Sequence, residues 1–584
     1  MEPKNYFLQP KNIPQKQYEA LRSFFVDRCP ASKTAKKFKY SVKALYSLIA
    51  DFRQKVKDPA FENQDPFFQI KKKGRKEKHE KNELSSLMIE MRKKNFSVPD
   101  IKISLDSKGY QVSEKYIYLV LKKMGFSRLP RRSKKIKSMK DQPKIKAEKS
   151  VVIDFSPEKF STNLAGLFCF IPYFERYGIT QAISQSSYPE TKGIDKLSSI
   201  LAFQALKLSN VRRYSVDDLW CMDRGLGLFA LLNVLPKTAW YSSYSDRVTR
   251  DMNVSFLRAL HQIWKKSEIL SDTMNLDFVT VPYWGEGSHL ENNWSGKRRQ
   301  SLASMLSVLA HDPDSGIIDY GDTNVMHKNE SAVILEFLDF YLAGAPTGED
   351  LKYLVFDSKF TNYENLNKLD ERGIKFVTIR RRGKNIVEEV EAMHKKDCRK
   401  VHVINADMKG RTLYVNDQSI ILNGYHKKKE LRQISITGHG KIKPALVITN
   451  EFDMKTEDII RKYSRRWLVE KSIAEQTDFF HLNRISSSMV IKVDFDLTMT
   501  ILAHNLFRLL AIDLERYSHF SDVRIFEKFI ANSGEIEIEK NAIQVKLKKK
   551  RNLPSLLTSM AQFQNTKIPW LKNKTLLFSG LSHS

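Results

Sequence analysis

Cysteine is scarce. Four residues in 584, at Cys29, Cys169, Cys221 and Cys398, leave no close pair. That scarcity excludes a disulfide-framework domain and gives no reason to expect a thiolate-built structural zinc site. Long apolar runs are missing as well. The longest, Leu164–Phe174 and Gly225–Leu235, reach about half of the ~20 residues that cross a bilayer, so no span is expected. Glycine (23) and proline (19) are too few for a collagen-like or low-complexity chain. The opening Met-Glu-Pro-Lys-Asn has neither the basic start nor the apolar core of a secretory signal, which makes a reducing, cytoplasmic setting the expectation. With 41% hydrophobic and 28% charged residues, the composition is globular and the length calls for several domains.

Acidic residues are also short in supply: 98 Lys and Arg face 67 Asp and Glu, a net charge of +31. The excess is concentrated. Residues 1–150 hold 38 basic and 16 acidic side chains, a balance of +22, which leaves +9 for the other 434. A basic quarter of this kind points to a polyanion, because each Lys or Arg set on a phosphate releases condensed counterions. Nucleic acid is the first candidate. A basic surface kept for solubility is the plain alternative, and no basic amphipathic helix with a continuous apolar face speaks for a membrane surface.

Periodicity predicts helices at Gln15–Arg28, Ser32–Phe38 and Val42–Gln54. Ser41 can cap the last, and Leu45, Leu48, Ile49 and Phe52 form its apolar stripe. The pattern resembles a helix-turn-helix, in which Lys43, Tyr46 and Ser47 would reach a groove. A charged connector, Ile70–Lys81, leads to a second such unit: Glu83–Lys94, a helix begun by Ser97-Val98-Pro99-Asp100, a turn at Gly109–Val112, and Ser113–Met124 presenting Lys115, Tyr118 and Lys122. Three-helix units without a DNA role are common; the charge is what favours DNA here. Residues 127–150 contain two prolines, ten Lys or Arg and no apolar period, and read as a basic linker.

From about 156 to 268 the pattern is helical throughout, and then the period changes. Met274–Val281, Leu302–Ala310, Gly316–Tyr320 and Tyr353–Phe356 read as strands, with a helix at Ser331–Tyr341. Strand-like segments dominate about 375–450, beginning at Phe376–Ile379. Two helices follow, Thr456–Phe480 and Asp496–Glu515, then a hairpin of Ile536 and Ile538 against Ile543, Val545 and Leu547. The expected domains are therefore 1–60, 78–126, a linker at 127–150, a helical region at 151–270, an α/β domain at 271–515 and a carboxyl-terminal region at 516–584.

Asp277 lies within an apolar strand and Asp357 ends another. A carboxylate in such a place is unfavourable unless it is paired or binds metal, although each alone is more often a capped strand end. Glu470 is the third candidate. On one straight helix, Tyr463, Arg466, Glu470 and Thr477 would fall within about 40° of a line. An Arg–Glu pair four residues apart is also an ordinary helical salt bridge.

Together these residues resemble the bacterial insertion-sequence DDE transposases, in the subgroup marked by Tyr-x2-Arg-x3-Glu-x6-Lys. The matches are Asn275-Leu276-Asp277 with Tyr283-Trp284-Gly285, Leu354-Val355-Phe356-Asp357 with Asn365 and Leu366, Val447-Ile448-Thr449-Asn450, and Tyr463-Ser-Arg-Arg466-Trp467-Leu-Val-Glu470. The likeness spans roughly residues 155–515. One departure is plain: the motif's Lys falls on Thr477. The resemblance implies an α/β RNase H-like catalytic core in which Asp277, Asp357 and Glu470 hold two Mg²⁺ ions, with Mn²⁺ able to substitute. It also implies a β-rich insertion at about 375–450, cleavage and strand transfer on double-stranded DNA (transposon ends and target), action as a homodimer or higher oligomer, and a nucleoid-associated place in the cytoplasm. Tyr463 and Arg466 would contact DNA phosphates. Arg380, Arg381 and Arg382 suit phosphate as well, and Trp284, Tyr414 and Tyr425 are candidates for stacking on an unpaired base unless they are core aromatics. An RNase H-like endonuclease without strand transfer, and a catalytically silent DNA-binding regulator, are the alternatives.

Overall fold

Seven residues close a small core near the start of the chain: Ala20, Leu21, Ala31, Ala35, Phe38, Leu45 and Ile49. Six of them lie on three helices, Ile13–Phe25, Ala31–Lys37 and Val42–Val56, and Phe38 caps the second. The third is capped as its sequence suggests, Ser41 Oγ accepting from the Ala44 amide at 3.1 Å. Lys43, Tyr46 and Ser47 are exposed on the face away from Leu45 and Ile49. The computed structural model describes residues 7, 10, 12–57, 67, 80–93, 96–106, 110–126, 153–191, 193–211, 219–283, 290–295, 300–327, 330–343, 351–380, 383–392, 398–404, 410–426, 429–439, 444–469, 478–482 and 490–581. The chain divides into two compact units, Met1–Leu84 and Ser85–Ser584.

Early in the second unit come the helices Val98–Asp106 and Glu114–Lys123, preceded by Glu80–Lys93 at its border. Ser97 and Asp100 form a reciprocal cap. The Asp100 amide donates to Ser97 Oγ at 3.3 Å, and the Ser97 amide donates to Asp100 Oδ2 at 2.9 Å. Ile101, Leu105, Ile117 and Leu121 are buried between the last two helices. Lys115 and Lys122 are exposed and Tyr118 is half-buried; Lys122 also lines a cavity of about 340 Å³ with Leu290, Asn293 and Leu306. The expected basic linker at 127–150, most of the 70–81 connector and Gly109 lie outside the described residues.

The unit is organised by one large sheet. Its strands are preceded in the chain by β1 (Glu158–Thr162) and comprise β2 (Thr273–Pro282), β3 (Asn292–Ser295), β4 (Gln300–His311), β5 (Ile318–Val325), β6 (Tyr353–Phe356), β7 (Lys375–Ile379), β8 (Arg399–Ile404), β9 (Gly410–Ile421), β10 (Glu430–Thr437) and β11 (Ala445–Thr449). The order is β3-β4-β2-β6-β7-β11-β10-β9-β8, with β5 on the other side of β4. β4 is antiparallel to β2 and to β5, whereas β2, β6 and β7 run parallel. The short central strands read as unbroken apolar runs because both faces are covered: Leu354, Val355, Phe356, Phe376 and Val377 are fully buried. One boundary differs from expectation. Lys375–Ile379 is not the start of an insertion but a parallel strand of the central sheet, and β8 to β11 extend that sheet rather than forming a separate one.

One sheet face carries a smaller core in which Val355, Val377, Ile434 and Val447 meet Ile459 and Ile460 of the helix Thr456–Ser464. The main core holds the helix Val490–Asp513, which begins six residues before the expected Asp496. Among the described residues it is the one helix long and apolar enough to cross a membrane, and 89% of its apolar window is buried within the protein. Its charged groups are matched from neighbouring elements: Lys207 to Asp496 at 2.8 Å, Lys492 to Asp246 at 2.8 Å, and His504 to Asp522 at 2.6 Å. A second sheet closes the carboxyl-terminal end, with β12 (Gly534–Ile538), β13 (Ala542–Leu547), β14 (Lys567–Ile568) and β15 (Lys574–Gly580) in the order β1-β12-β13-β15-β14. The expected hairpin is there, Ile536 opposite Val545 and Ile538 opposite Ile543. The all-helical reading of 156–268 fails at β1, whose pairing partner β12 lies far away in sequence, beyond the reach of a local pattern.

Candidate active site

Alternation along β2 sets Thr273, Asn275 and Asp277 on one face, toward the end of the helix Thr456–Ser464. Each meets a residue there. Lys462 Nζ donates to Thr273 Oγ1 at 2.6 Å, Asn275 Nδ2 donates to the Arg465 carbonyl at 3.2 Å, and the Arg466 guanidinium pairs with the Asp277 carboxylate. Leu276, between them, faces the main core. Asp277 is only 8% exposed, and its Oδ1 also accepts from the Phe278 amide at 2.8 Å. Asp357 directly follows β6. The parallel register pairs Leu276 with Phe356, so Asp277 and Asp357 stand at one level on strands that lie about 4.8 Å apart. This is the carboxyl end of the parallel strands, where open α/β sheets bind ligands. Phe278 and Phe360 stack at 4.0 Å and 3° across the two strand ends, and Lys359 Nζ lies 5.9 Å from the Phe278 ring.

Tyr463 completes the arrangement. Burial pushes its hydroxyl up to about 12, the facing Asp357 and Asp277 carboxylates add to the rise, and the Arg466 guanidinium opposes it. It is therefore a neutral hydrogen-bond donor across the physiological range.

The helix carrying Tyr463 is not the straight one expected over Thr456–Phe480. It ends at Ser464, with Arg465 as its cap, and residues 467–469 are helical again. The angular argument for one stripe from Tyr463 to Thr477 therefore does not hold. Tertiary contacts hold the break: Arg465 pairs with Asp314 at 2.6 Å and donates to the Pro313 carbonyl at 2.6 Å, while the Arg465 carbonyl accepts from Asn275 Nδ2 at 3.2 Å as well as from the Leu468 amide at 3.0 Å, the tighter bond of a turn. Tyr463 and Arg466 still reach the two aspartates, through this anchored bend.

Glu470, Glu475, Thr477, Trp284, Gly285, Arg381 and Arg382 lie outside the described residues. Arg380 donates to Gln433 Oε1 at 2.8 Å across the sheet. Tyr414 is half-buried on β9. Tyr425, in the turn between β9 and β10, is fully buried, edge-on to Phe376, which removes it as a base-stacking surface. The motif asparagines act as staples. Asn365 donates to the Ser331 carbonyl at 2.6 Å, and Asn450 accepts from the Phe376 amide at 2.9 Å while donating to Asp370 at 2.8 Å. Sequence reasoning missed Lys359 and Arg465. Lys359 stands two residues after Asp357.

Among the described residues no group of three or more His, Cys, Asp or Glu is placed to hold a metal. The pair Asp277 and Asp357 supplies hard carboxylate oxygens from adjacent parallel strands, a donor set that fits a divalent cation.

His311, at the end of β4, is buried beneath the turn that holds Arg465. Burial first, then His504, Arg508 and Arg465, lower its pKa from 6.5 to about 3. Between those values the unfolded chain binds a proton that the folded one does not, so stability rises with pH across that window and is lost as pH falls through it. In urea titrations from pH 7 to 4, His311→Gln is expected to flatten the acid loss by up to about 1.4 kcal/mol per pH unit. An unchanged slope would show that His311 does not set it.

Fold and site together define a mixed α/β protein with two carboxylates level with one another on adjacent parallel strands, one within β2 and one just past β6, and a Tyr–Arg pair against them. Residues 276–506, about two fifths of the chain, match the family model of the transposase DDE domain. No curated protein matches the chain significantly.

Proposed function

We propose that this chain is a DNA transposase that binds the ends of its own element, cuts there and joins the freed ends to target DNA, as a homodimer or larger assembly. Asp277, Asp357 and Glu470 are the metal ligands in this reading, for two Mg²⁺ or Mn²⁺ ions. The carrying observation is the register that levels Asp277 with Asp357 on adjacent parallel strands, beside Arg466 and Tyr463. The run of three antiparallel strands, β5-β4-β2, followed by parallel β6 and β7, supports an RNase H-like core. DDE transposases use divalent metal ions, which activate the attacking water or 3′-hydroxyl and stabilise the leaving oxygen. Arg466 and the neutral Tyr463 hydroxyl orient a phosphate against the two carboxylates. The exposed Lys43, Tyr46 and Lys115, with Tyr118 and Lys122, serve recognition of the ends, an assignment supported by the +22 charge of residues 1–150.

The test uses the full chain and a duplex made from inverted repeats in the DNA flanking its coding region. Cleavage and joining in Mg²⁺, absent in EDTA, is the expected result. Cleavage in EDTA would overturn the metal reading, and hydrolysis without joining would favour an endonuclease. On the same duplex, pre-nicked, Glu470→Gln should reduce cleavage by several orders of magnitude with binding retained, while Glu475→Gln stays close to wild type. The reverse pattern would refute the motif alignment.

A further inference from the structure

Asn275 stands where its neighbours are valines. The register of β2, β6 and β7 sets it in one row with Val355 and Val377, and all three are fully buried. A side-chain amide in such a row is unfavourable unless both of its ends are bonded. Here one end is. Nδ2 donates to the Arg465 carbonyl at 3.2 Å, while Oδ1, buried, has no hydrogen-bond partner among the described residues. A valine would fill the same place without that penalty, so stability does not account for the amide, and its one bond indicates what it does.

That bond falls on the bend between the helix Thr456–Ser464 and Val469, which is anchored in the main core. The bend is wound in short steps: the Arg466 amide donates to the Tyr463 carbonyl at 3.1 Å, and the Val469 amide to the Arg466 carbonyl at 3.0 Å. Bonds of this spacing have poorer geometry than those of an α-helix, so the path of the chain depends on support from outside. On the outer side Arg465 grips Pro313 and Asp314, but the ion pair is open to water, 41% and 57% exposed, and such pairs hold weakly. Asn275 holds the same residue from the inner side, screened from water. It lies two residues before Asp277 on one face of β2, and Arg465 lies one residue before Arg466. One hydrogen bond thus ties the strand that carries Asp277 to the segment that carries Tyr463 and Arg466. We propose that Asn275 is a positioning residue for the reaction: it holds Arg466 and Tyr463 in place against Asp277 and Asp357 through the Arg465 carbonyl. The proposal rests on the transposase reading for what those four groups do. A hydrogen bond is directional and fixes the bend at one distance, whereas an apolar contact is not directional and lets it slide.

The experiment compares wild type with Asn275→Val, both as full chains, on the pre-nicked flanking duplex in Mg²⁺. It measures the single-turnover cleavage rate at saturating DNA, the DNA concentration that gives half that rate, and the urea midpoint. Asn275→Val should cut about 100-fold more slowly, the loss expected when a catalytic group is displaced by about 1 Å. Its half-saturating DNA concentration should match wild type, and its urea midpoint should be unchanged or higher, because the unpartnered oxygen is gone. Slower cutting by a protein at least as stable separates positioning from structural support. Arg465→Met releases the same bend from its outer side and should slow cutting less. The double variant should be no slower than Asn275→Val alone, since both changes act on one bend. An Asn275→Val protein that cuts at the wild-type rate overturns the positioning role. So does slower cutting that comes with a lower urea midpoint, or that multiplies with the effect of Arg465→Met. A wild-type chain that cuts nothing in Mg²⁺ overturns the catalytic reading, and the positioning role with it.

Discussion

Asp357→Asn is expected to abolish Mg²⁺-dependent cleavage while leaving DNA binding and folding as they are, and Asp277→Asn to abolish cleavage with some loss of stability. The kinetic effect follows from charge. An amide keeps the shape of a carboxylate but removes the anionic oxygen a divalent cation requires, and losing several kcal/mol of transition-state stabilisation slows the step about a thousandfold or more. The difference in stability follows from surroundings. Asp357 is half-buried and caps its own turn through the Ser358 amide at 2.6 Å, a bond that an Asn oxygen can also accept. The Asp277 side chain is 11% exposed and its partner Arg466 13%, so Asp277→Asn leaves a largely buried guanidinium without its counter-charge. Adding Arg466→Met to Asp277→Asn should restore the urea midpoint but not activity. Activity of Asp357→Asn at the wild-type rate, with binding equal, would remove the pair from the catalytic role.

How far the sequence showed this in advance differs by element. Asp277 and Asp357 were visible because a carboxylate inside an apolar strand breaks a strong local pattern, and their shared level was not, since register depends on which strands become neighbours. The same limit explains β1. Its five residues sit among helices and pair with β12 only once the carboxyl-terminal sheet forms. Ser41 and Ser97 were readable as caps because capping is a bond within three residues of sequence. The end of the helix at Ser464 was unreadable for the opposite reason: nothing in Tyr-Ser-Arg-Arg-Trp-Leu disfavours helix, and the break is held by Asn275, Pro313 and Asp314 from other parts of the sheet. Tyr425 shows the ambiguity of aromatics, which serve core and ligand alike until burial is known. Lys359 carries no local anomaly at all; only its placement against the Phe278 ring, next to Asp277, distinguishes it.

The polar knot behind the large sheet should dominate stability. Arg250 donates to Asp494 Oδ1 at 2.7 Å and to the Gly321 carbonyl at 3.1 Å, and pairs with Asp322 at 3.1 Å. Asn253 donates to Asp494 Oδ2 at 2.7 Å and accepts from the Tyr188 hydroxyl at 3.1 Å. One arginine thus neutralises two carboxylates where the helices Arg250–Lys266 and Val490–Asp513 meet β5. Burial works against the charge on Arg250, but Asp494 and Asp322 hold it protonated; burial raises the pKa of Asp494, Arg250 opposes the rise and Asp322 adds to it. Arg250→Met removes the cation and keeps the volume of the chain, so it should destabilise by about 3–5 kcal/mol, the loss typical when one partner of a buried pair is removed. The pH dependence fixes the cause. Without Arg250 the folded pKa of Asp494 rises further above its ordinary value of 3.8, so stability is full below that value and is lost as pH climbs through the folded pKa. The gap between Arg250→Met and wild type should therefore narrow on going from pH 8 to pH 5. Adding Asp494→Leu to Arg250→Met should recover most of the loss, because an apolar pair of similar volume no longer carries an unmatched charge. Urea midpoints for the two single variants and the double variant measure the coupling directly. If the double variant were as unstable as the sum of the singles, or if the Arg250→Met gap did not change with pH, packing rather than charge would hold this junction together.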